Sequence, residues 1–120
     1  MRRFAVVGAV LLATGVALGA FGAHGLEGRI TVDRLATFET AVRYQLVHGV
    51  GLMAVAGLAR PDSRLARLAA TALTAGALLF ALTLYLLAIG GPSWLGAVAP
   101  IGGAAMIGGW VAAAVDLSRG

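Results

Sequence analysis

FAVVGAVLLATGVALGAFGA, residues 4–23, is a run of twenty residues without a charge. At a rise of about 1.5 Å per residue it makes a helix about 30 Å long, the thickness of a bilayer's hydrocarbon core. Arg2 and Arg3 stand before it and small residues follow around Ala20–Ala23, as they would in a secretory leader. The apolar run is longer than a leader's 7–15 residues, and its glycines suit helix packing, so a retained first transmembrane helix is expected.

Three more spans follow. After a polar connection from His24 to Asp33, a helix becomes steadily more apolar toward Ala59. Asp33 or Thr31 can cap its start, and Glu39 and Arg43 stand at i, i+4 in the favourable order. It enters lipid near Ala41–Tyr44 and stops at Arg60-Pro61-Asp62-Ser63, since a proline disfavours helix at the preceding residue. Ser63 or Asp62 then caps a third helix, and Gly90-Gly91-Pro92-Ser93 marks a tight turn before the fourth. Pro100 loosens the fourth helix near its start. The predicted helices cover about 4–23, 34–59, 65–89 and 94–115 of a single domain, 1–120. Short loops between them give an all-α, antiparallel four-helix bundle embedded in the membrane.

Composition agrees: of 120 residues, 60% are hydrophobic and 12% charged, with a mean hydropathy of +0.94. A water-soluble domain of this size needs far more polar surface. The absence of cysteine removes disulfides and thiolate metal sites. All nine basic residues are arginines, set at span ends and not in one stripe, so they read as topology signals facing lipid headgroups and not as a nucleic-acid surface. Arg2, Arg3, Arg60, Arg64, Arg67 and Arg119 fall at one end, against Arg29, Arg34 and Arg43 at the other. The positive-inside rule therefore predicts that both termini are cytoplasmic.

Lipid gives helices no hydrophobic reason to associate, so close packing and hydrogen bonds must hold them. Gly8, Gly15, Gly19 and Gly22 share one face of the first helix. Gly76 lies on a small-residue stripe of the third with Ala69 and Ala72, and Gly102 and Gly109 on one of the fourth with Ala105 and Ala113. These stripes predict packing within the bundle.

Polar residues gather near the first connection. Thr37, Ala41, Tyr44 and His48 share a face of the second helix, with Gln45 at its edge. His48 is placed roughly 6–8 Å inside the apolar layer, counted from the entry near Ala41–Tyr44. His24 closes the first helix on the same side, so His24, Glu39, Arg43, Tyr44, Gln45 and His48 are expected in one leaflet as a polar cluster. Intramembrane ionisable groups are functional candidates, yet such a cluster can equally lock helix register. A ligand- or proton-handling site and a structural lock both stay open. Haem held by His24 and His48 is disfavoured because His24 sits at or beyond a helix end and no second pair exists. A two-histidine metal site would need Glu39, Glu27 or Asp33 as its carboxylate, at a spacing that matches no metal motif. No cofactor or metal is therefore expected. Thr71, Thr74 and Thr83 should bond back to their own helix's carbonyls. Tyr85 and Trp94 read as interfacial anchors and Trp110 as packing or the opposite aromatic belt. No nucleophile–base pair or phosphate loop occurs, and no strand precedes the glycines of residues 15–25, so no enzyme is expected.

Gly19-Ala20-Phe21-Gly22-Ala23-His24-Gly25-Leu26, followed by Phe38-Glu39-Thr40-Ala41-Val42-Arg43-Tyr44-Gln45-Leu46-Val47-His48, resembles the signature of the transmembrane protein 256 family, also called domain of unknown function 423. The stretches Leu79-Phe80 to Leu84-Tyr85 and Pro100 to Trp110 are similar as well, so the resemblance covers nearly the whole chain. Ala81-Leu82-Thr83 stands where that family usually has a Ser-Gly-Ser-like triplet, and Gly49 where it often has alanine. The resemblance implies a small four-helix protein of an inner or mitochondrial membrane, and implies no catalytic activity. The expected function is a non-enzymatic accessory or structural subunit of a larger membrane complex. The alternative is a binding or transport module for a quinone, lipid or small anion at the polar cluster.

Overall fold

The computed structural model describes residues 1–120. Helix α1 (Arg2–Phe21) runs on through a π-helical turn, Gly22–Leu26, so the first span is longer than its uncharged run. Helix α2 spans Val32–Leu58, α3 Arg64–Ala88 and α4 Ala99–Ser118, the last preceded by a 3₁₀ segment, Ser93–Ala97. There are no strands. Each of the four helical stretches is long and apolar enough to cross a membrane, and the 49 Å long axis reaches across a hydrocarbon core and its headgroup layers.

Local chemistry sets the boundaries. The Thr31 and Ser63 hydroxyls accept hydrogen bonds from the Arg34 and Ala66 backbone N–H groups, capping α2 and α3. Asp62 in the α2–α3 turn (φ 56°) and Gly90 in the α3–α4 turn (φ 102°) adopt the left-handed backbone those reversals need. Pro100 falls in the first turn of α4, where it costs no helical hydrogen bond. Thr71, Thr74 and Thr83 bond back to carbonyls four residues earlier.

The helices alternate in direction, putting both termini and the α2–α3 turn at one end of the molecule, called here the terminal end. The other two connections lie at the far end. Packing runs α1 on α2, α2 on α3 and α3 on α4, while α1 and α4 form no packed pair. The bundle is consequently a staggered layer with one groove between α1 and α3 and another between α2 and α4.

Backbones approach closely where glycine allows it. A Cβ on Gly8 would lie 2.6 Å from the Gly49 carbonyl oxygen, and one on Gly102 2.7 Å from the Phe80 nitrogen. Gly76 faces the Gly102 carbonyl, and Gly109 faces Leu73 and the Ala69 carbonyl. Gly15 faces Leu46 and Gly22 the Phe38 ring, whereas a Cβ on Gly19 would meet only Val42, at 3.3 Å. Leu52 and Leu73, wholly buried, centre an apolar cluster toward the terminal end, and Leu26, Phe38, Val42 and Ala88 form a second toward the far end. Between them lie the polar residues.

Candidate functional site

Gln45 is 5% exposed and joins three helices. Its Nε2 donates to the Leu11 carbonyl at 2.9 Å and to Thr14 Oγ1 at 2.7 Å, both on α1. Its Oε1 accepts from the Tyr85 hydroxyl of α3 at 2.6 Å. Thr14 passes its own proton to the Val10 carbonyl at 2.7 Å, so both amide protons and the amide oxygen of Gln45 are engaged. Tyr85 therefore points inward, against Phe38 at 4.9 Å between ring centres. This corrects the expected interfacial anchor: the hydroxyl finds an amide inside the bundle, a better partner than the headgroup layer can offer at that rotation. Trp94 does remain 65% exposed. Gln45, Thr14 and Tyr85 form the polar floor of a cavity of about 270 Å³ between α1 and α3, otherwise lined by aliphatic side chains.

His48, also 5% exposed, has both ring nitrogens occupied. Nδ1 lies 2.8 Å from the Tyr44 carbonyl, which can only accept, so Nδ1 carries the proton. Nε2 then offers its lone pair to the Trp110 indole N–H of α4 at 3.1 Å. Trp110 is thus a packing residue, its ring lying also against Gly51. Across the chain no buried side-chain nitrogen or oxygen lacks a partner.

The six residues expected in one cluster separate. Along the α1–α2 contact Gly22 lies beside Phe38, Gly19 beside Val42, Gly15 beside Leu46 and Gly49 beside Leu12. This register sets His48 level with Ala13, about 15 Å from Ala23 along the axis. Counted from Ala23, the end of the uncharged run on α1, His48 is thus about twice as deep as the roughly 6–8 Å counted from Ala41–Tyr44 on α2. The two counts differ because Arg43, within the Ala41–Tyr44 entry, can sit below the boundary and reach back to it with its long side chain. His24, exposed on the π-helical turn, stands about 17 Å from the level of His48, so the two histidines share no site. Glu39 and Arg43 are both exposed and form no ion pair, since the one salt bridge in the chain lies elsewhere. Gln45 faces α1 and α3, while Tyr44 and His48 face α4. Tyr44 stacks on the His48 ring at 6.1 Å and packs on Phe80 at 4.6 Å.

That salt bridge is at the terminal end. Asp116, 1% exposed, pairs with Arg60 at 3.0 Å. It also accepts from the Ser63 hydroxyl and from Arg60 Nε at 3.1 Å. It pins the last turn of α4 to the α2–α3 turn. Sequence reasoning placed Asp116 simply beyond the fourth span, and 56 positions separate it from Arg60, so no local spacing signals the pair.

Comparison with known proteins agrees with this architecture. Residues 18–103 match the family described as "Protein of unknown function (DUF423)". A UPF0382 membrane protein of Bacillus subtilis, YwdK, is 42% identical over 113 residues, 92% of each chain. One from Staphylococcus haemolyticus, SH2409, is 39% identical over 111 residues, 92% of this chain and 91% of the relative. A third, from Haemophilus influenzae, is 38% identical over 99 residues, 82% and 80% of the two chains. No solved structure matches. With most of its length shared at this identity and four helices able to span a bilayer, the chain belongs to the DUF423 family of UPF0382 membrane proteins.

Proposed function

We propose that this protein is a non-enzymatic accessory subunit of a larger membrane complex, seated in the inner (plasma) membrane with both termini in the cytoplasm. The observation that carries the reading is the pairing of the intramembrane polar groups with one another. Gln45, Tyr85, Thr14, His48 and Trp110 each hold a partner on another helix, which sets register and commits these groups to holding the bundle together. A transport path would need unpaired polar groups along the spans, and every buried one is satisfied. Haem or metal on His48 would have to displace the Trp110 indole from the ring's only lone pair, and His24 is too far away to share the ligand. The lopsided distribution of arginines, six at the terminal end and three at the far end, supports the orientation.

What the molecule then offers its surroundings is helix surface. Gly57 and Gly108 have open space where a Cβ would stand, so a neighbouring helix can approach those backbones closely. Extraction of the native membrane in mild detergent, followed by mass spectrometry of the purified assembly, tests this. A stoichiometric membrane partner is expected, lost in G57L or G108L variants that keep the wild-type melting temperature. A monodisperse chain without partners contradicts it.

A further inference from the structure

We propose that the groove between α2 and α4 binds one anionic phospholipid, its phosphate on Arg43 and one acyl chain laid over Tyr44, His48, Phe80 and Trp110. Two adjoining cavities share Tyr44 and His48: one of about 300 Å³ walled by α2, α3 and α4, and one of about 290 Å³ beside it on the surface of α2 alone. Arg43 lines the upper one, and Phe80, Gly103, Ile107 and Trp110 line the lower. The α1–α2 register puts Arg43 about 7 Å inside the level of Ala23, a depth from which its guanidinium reaches the headgroup phosphates. It has no acidic partner within the chain, so a cation is presented at phosphate depth with its charge unanswered.

The groove's length points to the same occupant. Trp110 lies against Gly51, eight residues along α2 from Arg43, so the groove descends about 12 Å. One leaflet of a 30 Å core is about 15 Å deep. An apolar groove about 12 Å long beneath an exposed cation is close to the length that one acyl chain occupies in a leaflet. The His48–Trp110 hydrogen bond keeps the polar atoms of its floor turned to each other, so the chain meets aromatic and aliphatic surface.

Native mass spectrometry of the purified protein with equimolar phosphatidylglycerol and phosphatidylcholine of identical acyl chains tests the site. The wild type should retain phosphatidylglycerol about fivefold over phosphatidylcholine, the preference one arginine at a membrane surface supplies. R43Q should fall to parity and R43K keep most of the preference, while R34Q, at the same end but outside the groove, should keep all of it. G103L, at a groove-lining position with open space for a Cβ, should lose both lipids while melting as the wild type does. Parity in the wild type, an unchanged preference in R43Q, an equal loss in R34Q, or undiminished lipid in G103L overturns the proposal. So does displacement of the lipid by millimolar inorganic phosphate, which would show a site for phosphate alone.

Discussion

Replacing Gln45 with leucine removes the one side chain that ties α1, α2 and α3 together, at nearly constant volume. Three hydrogen bonds are lost, to the Leu11 carbonyl, Thr14 and Tyr85. Interhelical hydrogen bonds in membranes average about 0.6 kcal/mol and reach about 1.7 kcal/mol, so the junction contributes about 2 kcal/mol. Part of the loss comes from Tyr85, whose hydroxyl would be left in apolar surroundings. Reversible unfolding in micelles or bicelles, followed by steric trapping, reads this directly. Tyr85→Phe on its own should cost about 1 kcal/mol, and Q45L/Y85F should cost less than the two single changes added together, because the second substitution removes a group already orphaned. A loss below about 0.5 kcal/mol for Q45L, or strict additivity in the double variant, would refute the idea that this junction holds the bundle.

Gly102→Ala forces a methyl group against the backbone of Phe80 and Gly76 and should destabilise by about 1–3 kcal/mol. Gly108→Ala, with open space beside it, should leave the same unfolding midpoint unchanged or slightly raised. Nitrogen-15 NMR of labelled histidine should show His48 with its proton on Nδ1 and an unprotonated Nε2, since the Tyr44 carbonyl and the Trp110 indole permit no other arrangement; the opposite tautomer would mean that Trp110 does not donate. Asp116→Ala should release the α2–α3 turn and speed tryptic cleavage after Arg64 in detergent, and equal cleavage rates would show that the Arg60–Asp116 pair carries no structural load.

Four spans were legible because lipid imposes a length, and Arg, Pro and Gly punctuate the runs at that length. Thr31 and Ser63 announce helix starts by chemistry that acts within one turn. The faces of the helices were also legible from period, which is how Gln45 and His48 stood out. What period leaves open is which neighbour a face meets and at what depth. Gln45 and His48, three residues apart, turn to different helices, and that divergence follows from the staggered layer and not from α2 itself. The depth of His48 depends on how α1 slides against α2, and that slide is set where Gly8 and Gly49 let the two backbones touch. Tyr85 stands near a span end, where an aromatic can equally face lipid or a buried amide. The Arg60–Asp116 clamp joins distant parts of the chain, so only the folded geometry reveals it.

The central claim is that lipid surrounds four alternating helices whose polar groups answer one another inside. The chain has no native cysteine, so single cysteines at Gly28, Asp62 and Ser118 can be labelled in intact cells with a membrane-impermeant maleimide. The account predicts labelling at position 28 alone, with 62 and 118 reacting only after the membrane is opened. Labelling that separates position 62 from position 118, or that groups position 28 with either, would contradict it.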